Sequence, residues 1–140
     1  MNRMNRPRSR RRGAALVEFA VLLPFLVCLL VIAVDWARVL YLTQCLTDCA
    51  RSGALYASDH EARLQSPYAS LGEAALAEAP GLSPTPTVSQ VVATDANGNP
   101  TAVTVTVAME FDTISNFPLT PKAQTISRSV TMAVAPMNPR

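Results

Sequence analysis

The chain has 140 residues and a formal net charge of +2, and this length suffices for one small domain. The net charge hides an asymmetry: six of the twelve basic residues precede position 13, whereas residues 14–140 carry six basic and ten acidic side chains. A basic terminus on a mildly acidic body indicates nucleic acid, a membrane surface or a role in membrane orientation. The three cysteines, an odd number, do not fit a domain built on a framework of paired disulfides.

Residues 1–13 form a basic leader that contains no acidic side chain. Pro7 and Gly13 disfavour a helix across this whole stretch, so we predict that it is flexible. The last three residues before Gly13 are arginines: Arg10, Arg11 and Arg12. Positive residues beside a membrane helix stay on the cytoplasmic side, so we assign these arginines a topogenic role. The remainder of the chain is then exported.

Residues 14–34 form an apolar run in which Glu18 is the single charged side chain. A helix of this length spans about 30 Å and matches the hydrocarbon core of a bilayer. The run is apolar on all sides, which argues against a soluble amphipathic helix. Pro24 lies inside it, where membrane helices tolerate proline and usually kink. Because Trp36 supplies an aromatic anchor at the boundary, we predict a transmembrane helix over residues 14–36.

A cleaved export signal fits the apolar run less well than a membrane anchor does. A cleaved secretory signal has an apolar region of about 7–15 residues, which is shorter than this run. A twin-arginine signal is suggested by residues 9–11, but apolar residues do not follow the arginine pair directly. An ordinary signal anchor with a glutamate near its interface stays open.

No proline or glycine lies between Phe25 and Ser52, so we predict that the helix continues over residues 37–58, outside the membrane. Apolar or small residues recur there at every third or fourth position: Val39, Leu42, Leu46, Cys49, Gly53 and Tyr56. This stripe predicts a surface that packs on the exported domain or on a neighbouring chain. A disulfide between Cys45 and Cys49, one helical turn apart, is geometrically poor, so reduced thiols or a bond to another chain stay open.

The exported domain is predicted over residues 59–140. Residues 59–66 are expected to be a linker. A second helix then begins either at Pro67, which suits a first helical position, or after Ser70, whose spacing to Glu73 fits a capping box. In either case we expect it to end before Pro80.

The last third of the chain has the pattern of strands. Residues 87–93 are rich in β-branched side chains, and residues 102–111 and 125–134 alternate between apolar and polar positions. The turn cluster around Asn97-Gly98 predicts an antiparallel hairpin. Arg128 interrupts the last alternation, which indicates an edge strand or a barely buried strand end. The fold class is therefore α+β: a long N-terminal transmembrane helix that continues into a small exported domain with a three-stranded antiparallel sheet.

The most informative string is residues 10–19, in which a glycine closes the basic leader and a glutamate is the fifth residue of the apolar helix. It resembles prepilin-type processing sites, where a membrane aspartyl peptidase cuts after the glycine. More narrowly, residues 13–38 resemble the TadE family of tight-adherence (Tad, type IVc) pilus pseudopilins. The resemblance rests on the opening Gly-Ala-Ala-Leu-Val-Glu-Phe-Ala, on Leu-Leu-Pro24 and on the acidic-aromatic-x-Arg end. The segment Arg-Ser-Gly-Ala at residues 51–54 is similar to a small-residue helix segment of that family.

This resemblance implies a minor pilin or pseudopilin that is cut between Gly13 and Ala14 and acts in pilus assembly or initiation. It implies that Glu18 pairs with the free amine of Ala14, generally on an adjoining subunit. A carboxylate in a bilayer is costly by several kcal/mol unless it is paired or near the interface, which supports such a role. The implied partners are the prepilin peptidase, the major pilin, other pseudopilins, the inner-membrane pilus platform and the lipid bilayer. The implied location is the bacterial inner membrane, with a cytoplasmic N-terminus, or the pilus itself.

Other functional classes have less support in the sequence. The main alternative is an uncleaved, signal-anchored envelope protein that presents a small binding domain. His60 is the single histidine and lies in a predicted solvated linker, and Cys45-x-x-x-Cys49 lacks the C-x-x-C spacing of zinc and redox sites. We therefore expect no enzymatic activity, cofactor or metal. The arginine-rich leader lacks interleaved aromatic residues and a recognition motif, so we expect no nucleic-acid partner.

Overall fold

The computed structural model describes residues 9–114 and 123–134, except for the side chains of residues 9–12 and 62. Within these residues the chain forms three helices followed by three strands. Their order is α1 (Ser9–Ser58), α2 (His60–Gln65), α3 (Leu71–Leu76), β1 (Thr87–Thr94), β2 (Pro100–Asp112) and β3 (Ala123–Ala133). This order confirms the predicted α+β architecture.

Helix α1 is continuous over 50 residues, about 75 Å at the usual helical rise. It begins at Ser9 rather than Ala14, so the prediction of a flexible leader is wrong for residues 9–13. Arginine is a good helix former, and a helix already nucleated in the apolar run extends through Gly13 at a cost of about 1 kcal/mol. The C-terminal end at Ser58 agrees with the prediction.

The N-terminal part of α1 over residues 14–36, called the membrane half here because it is the predicted transmembrane segment, is not covered by the rest of the described chain. Leu16, Val21 and Leu30 are 70%, 74% and 65% exposed. The most apolar part of the helix has a mean hydropathy of 2.8, and none of it is buried inside the protein. By length and composition α1 can cross a membrane, which is consistent with a single-pass anchor.

Helix α2 lies where a linker was predicted, so that prediction is wrong. The cause is local: the Asp59 carboxylate accepts a hydrogen bond from the backbone N–H of Glu61 at 2.9 Å. An aspartate in this position satisfies donors at a helix N-terminus and allows a new helical turn directly after α1 ends.

Helix α3 follows Ser70, which confirms the capping-box start and contradicts the start at Pro67. The Ser70 hydroxyl accepts from the backbone N–H of Glu73 at 3.2 Å, and the Glu73 carboxylate accepts from the backbone N–H of Ala69 at 2.9 Å. These reciprocal bonds fix the first turn. The helix ends at Leu76, before Pro80 as expected.

The strands form one antiparallel sheet in the order β1-β2-β3, and the predicted strands are confirmed to within two residues at each end. β1 and β2 form the predicted hairpin. In its turn the Asp95 carboxylate accepts from the backbone N–H groups of Asn97 and Asn99, both at 2.8 Å. Gly98 has a φ of +83°, a conformation that glycine adopts without steric cost. Arg128 lies on β3, an edge strand of the described sheet, which confirms the first of the two alternatives for this residue.

The core lies between the extramembrane half of α1 and one face of the sheet. The predicted stripe on α1 supplies Leu42, Leu46 and Cys49, all buried. The alternating residues of β2 face them and are also buried: Val103, Val105, Val107, Met109 and Phe111. The stripe is therefore confirmed as a packing surface, and its partner is the sheet of the same chain.

Gly53 lies where α1 closely approaches α3 and β2. A Cβ atom there would lie 3.1 Å from the Ala75 Cβ and 3.2 Å from the Val105 Cγ1. The absence of a side chain thus lets α3 and β2 both pack against α1.

Candidate processing and assembly segment

Gly13 and Ala14 lie in the first turns of α1, on its exposed surface. A Cβ atom at Gly13 would meet nothing within 4 Å, unlike the crowded position of Gly53. Packing within the described chain therefore gives no reason for glycine at position 13. Since glycine destabilises a helix interior by about 1 kcal/mol relative to alanine, Gly13 is a weak point of α1.

Glu18 is exposed on α1, one turn after Ala14. Its neighbours Val17 and Phe19 are 66% and 57% exposed, so the carboxylate lies in a strongly apolar surface. Side chains of a helix tilt towards its N-terminus, so the Glu18 carboxylate is directed towards the level of Ala14. An acid in this position can meet a cation at the N-terminal edge of the membrane helix.

Pro24 lies in the middle of the membrane half, and α1 continues on both sides of it. Proline has no N–H group, so the carbonyl of Ala20 lacks its usual helical donor there. The predicted kink stays a prediction. The topogenic assignment of Arg10, Arg11 and Arg12 concerns side chains outside the described residues.

The structure reveals a polar contact that the sequence patterns do not predict, at the point where α1 leaves the apolar run. Asp35 is only 5% exposed, and its Oδ1 accepts from the backbone N–H of Ile114 at 3.1 Å. The same oxygen lies 3.5 Å from Nη1 of Arg38. The Arg38 guanidinium stacks 4.8 Å from the centroid of the Phe111 ring, within range of a cation–π interaction.

This contact ties the end of β2 to the base of the extramembrane helix. By sequence alone, Asp35 is only part of the acidic-aromatic-x-Arg end of the apolar run. The i, i+3 spacing of Asp35 and Arg38 predicts an ion pair on a helix. The contact with Ile114 joins residues 79 positions apart, however, and local sequence patterns carry no signal for it.

The three cysteines are unpaired in the described chain. Cys49 is buried against the sheet, whereas Cys28 and Cys45 are half-buried. Burial raises the pKa of the Cys49 thiol, and the charges of Cys45, Glu78 and Asp48 act in the same direction. Within the described residues no group of three histidine, cysteine, aspartate or glutamate side chains is placed to hold a metal ion.

A comparison with protein families gives one informative result: the model described as TadE-like protein matches residues 13–55. The match begins at Gly13, covers the membrane half of α1 and ends within the stripe that packs on the sheet. Neither the curated proteins nor the solved structures give a match to the chain. Over residues 13–55 the chain is thus similar to the TadE-like family, and this similarity suggests an association with the Tad pilus.

Proposed function

We propose that the protein is a minor pilin or pseudopilin of a Tad-type pilus, made as a precursor that a prepilin peptidase cuts after Gly13. One observation carries the proposal. The TadE-like match starts at Gly13, and five residues later Glu18 is the single charged side chain of the exposed apolar run at residues 14–34. Gly13 has no packing role in the described chain, and Glu18 places a charge in an apolar surface. The two residues have the spacing that processing and assembly require.

The peptide bond between Gly13 and Ala14, where the cut is proposed, lies within helix α1 of the folded chain. A protease binds its substrate in an extended form, so the helix has to unwind around Gly13 before the cut. Glycine favours this opening, because it stabilises the helix least among residues other than proline. Outside the surrounding helical turn, no described atom lies within 4 Å of the position that a Cβ atom would take at Gly13, so opening the helix there would break no packing contact of that residue.

After cleavage the new amine of Ala14 becomes the N-terminus of α1. A buried carboxylate in the bilayer is costly, and an ammonium within a few ångströms offsets that cost. The amine of an adjoining subunit in the pilus meets Glu18 in this way and fixes the axial register between the two chains. Without such a partner Glu18 disfavours close packing of α1 against other apolar helices.

The proposed topology has the arginine-rich leader in the cytoplasm, α1 across the bacterial inner membrane and the α+β domain outside the cytoplasm. The proposed partners are the prepilin peptidase, the major pilin and other pseudopilins, the inner-membrane platform and the lipid bilayer. In this account the protein acts as a structural subunit or an initiation factor and not as an enzyme.

The proposal is tested by replacing Glu18. We expect Glu18→Ala and Glu18→Gln proteins to be cleaved but to enter sheared pili, or to support pilus formation, at least about ten-fold less, which corresponds to about 1.4 kcal/mol. Glu110→Ala removes an exposed acid from the sheet and is the matched control. If Glu18→Ala supports assembly as well as the wild type does, the ion-pair role is wrong.

The second candidate is an uncleaved anchor that presents the α+β domain to a binding partner. A cavity of about 440 Å³, lined by residues of α1, α2 and the sheet among others, favours it, because such a cavity suits a binding module. Retention of the leader in native membranes would distinguish this candidate from the pilin pathway.

A further inference from the structure

The strand β1 has one edge that no described residue pairs with, and the register shows which backbone groups face outward. The N–H of Val134 donates to the carbonyl of Thr101 at 3.0 Å, so odd-numbered residues of β2 bond towards β3 and even-numbered ones towards β1. The partners of Thr104 and Thr106 on β1 are Val91 and Ser89. The odd-numbered residues of β1 therefore bond to β2.

The remaining residues of β1, namely Val88, Gln90 and Val92, direct their backbone N–H and C=O groups to the free edge. Proteins usually protect such edges with charged side chains, proline or bulges inside the strand. The eight residues of β1 contain neither a charge nor a proline, and the register is irregular only at its end, between Ala93 and Thr94. Val91 and Val92 are 69% and 47% exposed. The edge is therefore open to another strand.

A cavity borders this edge on the face of the sheet that carries α1. Its volume is about 440 Å³, and a smaller one of about 240 Å³ shares several lining residues with it. Apolar side chains line both cavities: Ala57, Val92 and Val103. The side chains of Gln90 and Val92 point to the same side of the sheet as the cavity, because they are cross-strand partners of the buried Val105 and Val103. A strand added to β1 would thus place alternate side chains over the cavity.

The rim of both cavities carries positive charge. Arg63 of α2 lines each of them, and its Nη2 lies 3.0 Å from Nδ1 of His60. Among the described residues Arg63 forms no ion pair. A carboxylate bound beside the edge would therefore find an available guanidinium, whereas a cation would be repelled.

We propose that the β1 edge and the adjoining cavity bind an extended segment of another polypeptide, which adds as a fourth strand and carries an acidic side chain among apolar ones. The backbone groups of Val88, Gln90 and Val92 supply the hydrogen bonds, the cavity receives the apolar side chains, and Arg63 selects the acid. This is the mode of recognition in which a sheet gains a strand from a ligand. It does not depend on cleavage at Gly13.

A second copy of this chain fits the site less well. Antiparallel pairing of two β1 strands relates the copies by a two-fold axis perpendicular to the sheet. Because α1 lies along the sheet, this axis would direct the two membrane segments in opposite directions. Pairing of β1 with β3 of another copy is also unfavourable. The single charged side chain of β3 is Arg128, a second cation, which Arg63 would repel.

The test uses the full-length protein in lipid nanodiscs and fluorescent, capped seven-residue peptides, with anisotropy as the readout. Each peptide has threonine at positions 1, 3, 5 and 7 and valine at positions 2 and 6, and position 4 is varied. In an extended peptide the residues at positions 2, 4 and 6 share the face over the cavity. The central residue is aspartate, asparagine or lysine. We expect the aspartate peptide to bind at least about ten-fold more tightly than the lysine peptide, and Arg63→Glu to reverse this order. Arg51→Glu, at an exposed arginine that lines neither cavity, is the matched control and should change nothing.

Two substitutions of one residue test the strand pairing. Gln90→Pro removes an outward N–H group without removing a bond to β2, and should abolish binding. Gln90→Ala keeps the backbone donor and should bind within about three-fold of the wild type. The proposal is overturned if no peptide binds up to about 1 mM, or if the Gln90→Pro and Arg63→Glu proteins bind all peptides as the wild type does. Dimer formation that Gln90→Pro abolishes would assign the edge to a second copy and also overturn it.

Discussion

Asp35 offers the sharpest test of how the α+β domain is attached to the long helix α1. Its buried carboxylate accepts from the Ile114 N–H at 3.1 Å and lies 3.5 Å from Arg38. Replacement by alanine removes both contacts, whereas replacement by asparagine keeps a neutral acceptor for Ile114. The two variants therefore separate the hydrogen bond from the charge.

The expected magnitudes follow from burial. Loss of a hydrogen bond to a charged, buried acceptor destabilises by about 1.5–3 kcal/mol. Breaking a fully buried ion pair costs about 3–5 kcal/mol, but the Arg38 side chain is 41% exposed, so solvent screening reduces that part to about 1 kcal/mol. We expect Asp35→Ala to lower the free energy of unfolding of the α+β domain by about 2–4 kcal/mol, and Asp35→Asn by about 1–2 kcal/mol.

The assay is hydrogen exchange of the full-length protein in nanodiscs, followed by mass spectrometry of the peptide that contains Ile114. Both variants should exchange faster there, and Asp35→Ala should exchange fastest. Urea unfolding of the same samples gives the free-energy difference. Asp48→Asn, at an exposed carboxylate on the same helix, is the control. If Asp35→Ala leaves exchange at Ile114 and the urea midpoint unchanged, the buried carboxylate does not anchor β2 to α1.

Three further predictions concern the α+β domain. Gly53→Val places methyl groups against the buried Val105 and should destabilise the domain by about 1–3 kcal/mol in urea unfolding, whereas an unchanged midpoint would contradict the close approach. Burial raises the pKa of Cys49, so in the native protein iodoacetamide should modify the half-buried Cys45 first, as peptide mass analysis will show; equal rates would contradict this order. Hydrogen bonds from the backbone of the turn hold the pKa of Asp95 below its ordinary value of about 3.9. Its contribution to stability is therefore present above that value and is lost as the pH falls through the lower folded pKa, so the thermal midpoint should fall less steeply with acid in Asp95→Asn than in the wild type.

The long helix and the hairpin were predictable because their signals are local and repeated. The apolar run and the stripe from Val39 to Tyr56 extend over many turns, and the alternation in residues 102–111 leaves no other face for the core. The turn at Asn97-Gly98 combines two residues that favour tight turns, which fixed the pairing of β1 with β2. These patterns report periodicity, and periodicity determines the type of an element.

Features that depend on single contacts were not predictable. The helix start at Ser9 depends on a small energy difference, because α1 has to continue through Gly13. The existence of α2 depends on a single N-cap, Asp59. Such small effects are not visible in the pattern of a short segment. The contact between Asp35 and Ile114, and the cavity beside Arg63, join residues far apart in the sequence. The proposed roles of Gly13 and Glu18 are different again. These roles involve partners outside the chain. The fold therefore shows where Gly13 and Glu18 lie, but it does not test what they do.

The measurement that tests the central claim most directly is the intact mass and N-terminal sequence of the protein from native membranes, with and without the prepilin peptidase. The account predicts a start at Ala14 that depends on the peptidase, and a Gly13→Val protein that inserts in the membrane but keeps its leader. A start at Met1 in both strains would contradict the pilin pathway and leave an uncleaved anchored binding protein, and a start near Val34 would instead indicate a secreted domain.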